Sequence, residues 1–125
     1  MLDAMKKTKT ILKWTLGIIY ILAGTNHFIN PDFYLKMMPP IFPAHLFLIY
    51  LSGIFEILFG VLLLVPRFSR IGAWGIIGTT IAVTPANIYM AMNPEMFSEF
   101  SPIALYLRLP LQIIPLVWAY WFTKE

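Results

Sequence analysis

The sequence predicts an all-α protein, a polytopic membrane four-helix bundle with both termini on the cytoplasmic side and short interfacial helices in its outer loops. Three observations carry that prediction. The 125 residues are 59% hydrophobic and only 12% charged, with a mean hydropathy of +0.76, whereas a soluble domain is about a quarter charged. Four apolar stretches are each long enough to cross a hydrocarbon core about 30 Å thick. The basic residues fall between those stretches, where they encode orientation. The net charge of +3 therefore does not mark a nucleic-acid binder, because no basic stripe is formed. A single integral membrane domain spanning residues 1–125 is expected, in the inner (cytoplasmic) membrane.

The first span runs from about Ile11 to Ile29, behind the basic segment MLDAMKKTKT. That segment has the look of a signal-peptide n-region, but no convincing A-x-A site follows and three further spans do, so it is read as an anchor. The second span covers His45 to Val65 and the third Ile71 to Met92. Only Pro66-Arg67-Phe68-Ser69-Arg70 separates them, so they are antiparallel neighbours. The fourth covers Pro102 to Phe122. Helices are the expected form, since no water satisfies the backbone in lipid.

Lys6, Lys7, Lys9, Lys13, Arg67, Arg70 and Lys124 lie on the side of the N-terminus, against Lys36 with Asp32, Glu95 and Glu99 on the other. The positive-inside rule then puts both termini in the cytoplasm. Gly17 and Gly24, and Gly53 and Gly60, are spaced by seven, and Gly72, Gly75 and Gly78 follow one flank of the third span. Small residues let helix backbones approach in lipid, within one bundle or across a homodimer face.

The outer loops read as lids. Asn30-Pro31-Asp32 has the chemistry of a helix start, and the short helix must stop near Met38 before Pro39 and Pro40. Asn93-Pro94-Glu95 opens a second short segment, and Ser101-Pro102 caps the fourth span. The two loops share an Asn-Pro-acid pattern that hints at a 2+2 internal duplication.

Glu56 is the hardest residue to excuse. It sits midway along the second span, where a charge costs at least about 2.5–3.5 kcal/mol, so it must be neutral or partnered and face the interior. Ser52 is one turn away. The expected partner is Arg108, roughly 9 Å below the outer end of its span where Glu56 is about 16 Å below, with Gln112 one turn beyond Arg108 and nearer in level. Asn26 and His27 close the first span, and Asn87 belongs to the third. These seven residues predict a polar cavity opening outward, for a ligand or as a network that locks helix register. Thr79, Thr80 and Thr84 are expected to bond their own backbone, and Pro85, Pro110 and Pro115 to kink their helices.

No cysteine is present, which excludes disulfides and thiol redox chemistry. Met37, Met38, Met90, Met92 and Met96 share the outer side. Thioethers with an imidazole suit Cu(I), but methionine also fills irregular lids, and only His27 and His45 offer nitrogen. No metal site is expected.

The stretches GTNHFINPDFYLKMMPPIFPAH, YLSGIFEILFGVLLLVPR, WGIIGTTIAVTPANIYMA and RLPLQIIPLVWAYW together resemble the DoxX-like family of small four-helix membrane proteins, over about residues 11 to 122. Some relatives there are linked with thiosulfate:quinone oxidoreduction, some with a membrane complex for oxidative stress, and distant ones with ion-channel assembly. The resemblance implies a membrane subunit beside a redox partner, with quinone as the candidate bound molecule. It transfers no catalytic residue, so the chain is not expected to be an enzyme on its own. The alternatives are a membrane scaffold or assembly chaperone for a partner protein, and a small transporter that would need a homodimer.

Overall fold

A computed structural model describes residues 2–98 and 100–124. Glu99, counted above among the outer charges, lies outside the described residues. The described chain is helical and contains no strand. In order it forms α1 (Leu2–Ile29), α2 (Pro31–Met37), α3 (His45–Leu64), α4 (Ser69–Ala82), α5 (Thr84–Met92), α6 (Pro102–Leu111) and α7 (Ile113–Phe122), with 3-10 turns at Pro66–Phe68 and Pro94–Met96.

Three segments are long and apolar enough to cross a membrane: His45–Leu64, Pro66–Met92 and Pro102–Phe122. They match the expected second, third and fourth spans. The segment expected as the first span is helical throughout but does not meet that measure. Its apolar centre is diluted by Lys13 at one end and by Asn26 and His27 at the other.

α1 and α3 pack along their lengths, and glycine explains how closely. A Cβ on Gly24 would lie 2.5 Å from the Gly53 carbonyl oxygen, and one on Gly53 2.9 Å from the Gly24 carbonyl oxygen. Seven residues along, a Cβ on Gly60 would lie 2.8 Å from the Gly17 carbonyl oxygen, and one on Gly17 3.0 Å from that of Gly60. The equal spacing in an antiparallel pair brings both contacts into register. Gly72 meets the Leu63 backbone and Gly75 lies under the Phe59 ring, whereas Gly78 faces open space.

The other two long apolar segments are each broken within their length. Val83 separates α4 from α5 and Gln112 separates α6 from α7. Pro85 and Pro115 explain both breaks, because each follows shortly after and removes a backbone donor. Pro110 stays inside α6.

Leu16, Tyr20, Leu63, Ala73, Ile76, Ala119 and Phe122 form one buried cluster near the termini. Met37, Met90, Phe97 and Leu105 form another under the loops at the opposite end. Thr80 departs from the expected self-bonding: its hydroxyl pairs with the Tyr20 hydroxyl at 2.5 Å, tying α4 to α1.

Candidate functional site

α2 places the first groups. It ends at Met37, as the following prolines demand, with Met38 extended. Asn30 occupies the N-cap position, but its side chain makes no capping bond and donates instead to Asn26 Oδ1 at 2.5 Å. Asn26 Nδ2 in turn donates to the Tyr34 hydroxyl at 2.7 Å. Tyr34 is thereby held over His27, ring centroids 4.1 Å apart. Burial pushes the Tyr34 phenol above its ordinary range, with the Asn26 hydrogen bond and the charge of Arg108 pulling the other way. The phenol stays protonated at neutral pH.

His27 and Glu56 are both buried, 6% and 8% exposed. His27 Nδ1 lies 3.0 Å from the Ile49 carbonyl oxygen and 3.0 Å from Ser52 Oγ. The Ser52 hydroxyl also has the Ile49 carbonyl as an acceptor, at 3.0 Å. A carbonyl only accepts, so Nδ1 carries a proton. Nε2 is then left for Glu56, whose Oε2 is 3.2 Å away. That contact is within ion-pair range but not aligned as a hydrogen bond, so Oε2 has no hydrogen-bond donor. With Nδ1 protonated, one further proton makes the pair neutral in either arrangement, imidazole with carboxylic acid or imidazolium with carboxylate. A pair without net charge is what an apolar surrounding tolerates.

The expected Glu56–Arg108 ion pair is therefore replaced. Among the described residues Glu56 meets His27, and no ion pair joins it to Arg108. Sequence depth misled here, since it measures level along a helix and not the rotation that turned His27 toward α3. Arg108 is half-buried and lines the same cavity.

The cavity has a volume of about 690 Å³. Most of its wall is apolar, from Leu48, Leu51, Phe55, Phe59, Ala82 and Val83. Tyr34, Met37 and Met38 contribute from the segment bounded by Pro31 and Pro39-Pro40, and Phe42 from just beyond it. His27, Ser52, Glu56, Asn87 and Arg108 supply polar groups. Gly78 adds no side chain and leaves room.

Two expected members stand apart. Asn26 lies behind the lid as its tether, and Gln112 is a clamp. Gln112 Oε1 accepts from Asn87 Nδ2 at 2.8 Å, and Gln112 Nε2 donates to Thr84 Oγ1 at 2.6 Å. One amide at the α6–α7 break thus grips the start of α5, just past the α4–α5 break at Val83. Replacing Gln112 with leucine is expected to lower stability by about 1–3 kcal/mol through two orphaned partners. Thermal unfolding in nanodiscs measures this, and an unchanged midpoint would mean the amide is not a clamp.

Tyr34 and Thr84 were missed as site residues. Tyr34 lies eight residues past Asn26, on a helix whose register the Asn-Pro start sets, so its place in the lid had a signal. Thr84 had none, because its role depends on where another helix breaks.

A family model described as a domain of unknown function (DUF8561) matches residues 16–123. No curated protein and no solved structure matches the chain.

Proposed function

The chain belongs to the DUF8561 family, and we propose that it is a four-span inner-membrane protein that binds a small amphipathic molecule of the quinone class beside a redox partner. In this reading α1 supplies the first span and brings their number to four, both termini are cytoplasmic, and the cavity opens outward. The glycine contacts of α1 with α3 support a shared membrane depth, and the sided lysines and arginines support the orientation. The DoxX-like resemblance supports the redox association.

The observation that carries the proposal is the His27–Glu56 pair on the wall of a mostly apolar cavity of about 690 Å³. Such a pair holds one proton at no net charge, and so can offer it as a hydrogen bond to a ligand oxygen while the site stays uncharged. Arg108 offers a second, permanently charged donor to an oxygen elsewhere on the ligand. The apolar wall suits a ring or hydrocarbon body. The chain has no thiol to carry electrons, so the partner would supply them.

Native mass spectrometry of protein taken directly from membranes into nanodiscs tests this. Wild type should carry a discrete small molecule, and Glu56→Gln and Arg108→Met should lose it. Gly78→Leu should lose it too while folding normally, since nothing lies within 4 Å of its Cβ position. An empty wild type, with the two polar variants merely less stable, would sink the ligand reading. It would leave the scaffold alternative, whose sign is a stoichiometric partner protein that survives these substitutions.

A further inference from the structure

A second cavity, of about 670 Å³, lies where α3 turns into α4, at the opposite end of α3 from the lid. Phe59, Arg67, Arg70, Ile71, Trp74 and Gly75 line it. The turn that builds it is firmly held. Val65 is extended, Pro66–Phe68 forms a 3-10 turn, and the buried Ser69 hydroxyl donates to the Leu63 carbonyl at 2.7 Å. Arg67 and Arg70 follow three residues apart and both are exposed. Arg67 is partly steadied over the Phe68 ring, 5.6 Å from its centroid. Among the described residues no carboxylate forms an ion pair with either arginine.

We propose that this groove binds one anionic phospholipid, its phosphate between Arg67 and Arg70 and an acyl chain along Phe59, Ile71 and Trp74. The proposal rests on the reading that this turn lies at the cytoplasmic face. Two guanidiniums at one end of an apolar strip match a molecule with charge at its head and hydrocarbon behind it. A free anion would use the arginines and leave the strip bare, and a neutral lipid would do the reverse. Trp74 is 52% exposed and Ile71 56%, so the strip is open to a chain lying along it.

The site bears on the first cavity. Phe59 and Gly75 line both, and a Cβ on Gly75 would collide with the Phe59 ring. The ring stacks on Phe55, centroids 5.8 Å apart. It is a shared partition, so a lipid chain on one side supports the wall that the ligand meets on the other.

The test is native mass spectrometry of full-length protein in detergent, titrated with dioleoylphosphatidylglycerol or dioleoylphosphatidylcholine. Thermal midpoints are read beside it with inorganic phosphate alone. Wild type should retain one phosphatidylglycerol in preference to phosphatidylcholine by roughly thirtyfold, the effect of two interfacial charges. Arg67→Gln/Arg70→Gln should erase the preference, and Trp74→Gln should weaken retention of both lipids. All three positions are exposed, so unchanged midpoints in phosphatidylcholine nanodiscs confirm that the variants fold. Equal retention of the two lipids by wild type, or an undiminished preference in the double variant, overturns the proposal. Stabilisation by phosphate equal to that by phosphatidylglycerol also overturns it, by making the arginines a site for a free anion. The small molecule of the first cavity is read in the same spectra, so loss of that ligand alone counts against the function proposed above and not against the lipid site. Protein that stays soluble without detergent and takes up neither lipid would overturn the membrane reading and the lipid site together.

Discussion

A leucine at position 24 is expected to separate α1 from α3 and lower stability by about 3 kcal/mol or more, the upper end of overpacking costs. Even a methyl group there would sit 2.5 Å from the Gly53 carbonyl oxygen and 2.8 Å from Ile57 Cγ1. A backbone oxygen cannot rotate aside as a side chain can, so the helices must part. The reciprocal contact at Gly53 has His27 Cβ at 2.9 Å. Parting the helices therefore also pulls the imidazole from Ser52 and Glu56. Thermal unfolding in nanodiscs should show a midpoint fall of roughly 10 °C, accompanied by loss of any bound small molecule. Gly78→Leu is the control on the same scale, with a midpoint near wild type. An unaltered midpoint in Gly24→Leu would refute the α1–α3 register itself.

The second large effect concerns the His27–Glu56 pair. His27→Leu strands a buried carboxyl group and is expected to cost about 3–5 kcal/mol. Glu56→Leu strands only one imidazole nitrogen, because Nδ1 keeps its bonds with Ile49 and Ser52, and should cost about 1–3 kcal/mol. The double replacement removes Oε2 and Nε2 together, so neither is stranded, and it should recover part of the loss. A coupling of about 2 kcal/mol between the two sites is expected from the cycle, measured by reversible unfolding in mixed micelles. Strictly additive single effects would mean that the 3.2 Å contact does not act as a unit, and the shared-proton argument would go with it.

The breaks in the two longest apolar segments show where reading a chain linearly stops. Pro85 and Pro115 forecast irregular backbone, and Val83 and Gln112 are where it occurs. Nothing local says that these breaks face one another and share the Gln112 amide. In the same way His27 is visible as a polar residue at the end of a greasy run, but its partner is not. Levels along helices can be counted from sequence, while rotation about the helix axis is settled by packing. The glycine spacing was the better guide, because equal steps of seven on two neighbouring helices meet in only one antiparallel register.

By itself the sequence determined the helical class, the three strongest apolar segments, the lid boundaries at Pro31 and Met38, and the residues that lipid would not leave unpartnered. These follow from local facts: hydropathy summed over a segment, proline geometry and the cost of buried charge. Only the tertiary structure decided that Glu56 meets His27 and not Arg108, that Gln112 at one helix break grips α5 beside the other, and that Tyr34 roofs the imidazole. The physical reason is that a polar side chain in an apolar medium takes whichever partner the backbone brings within about 3 Å. The close approach of α1 to α3, permitted by four missing side chains, is what brought His27 there.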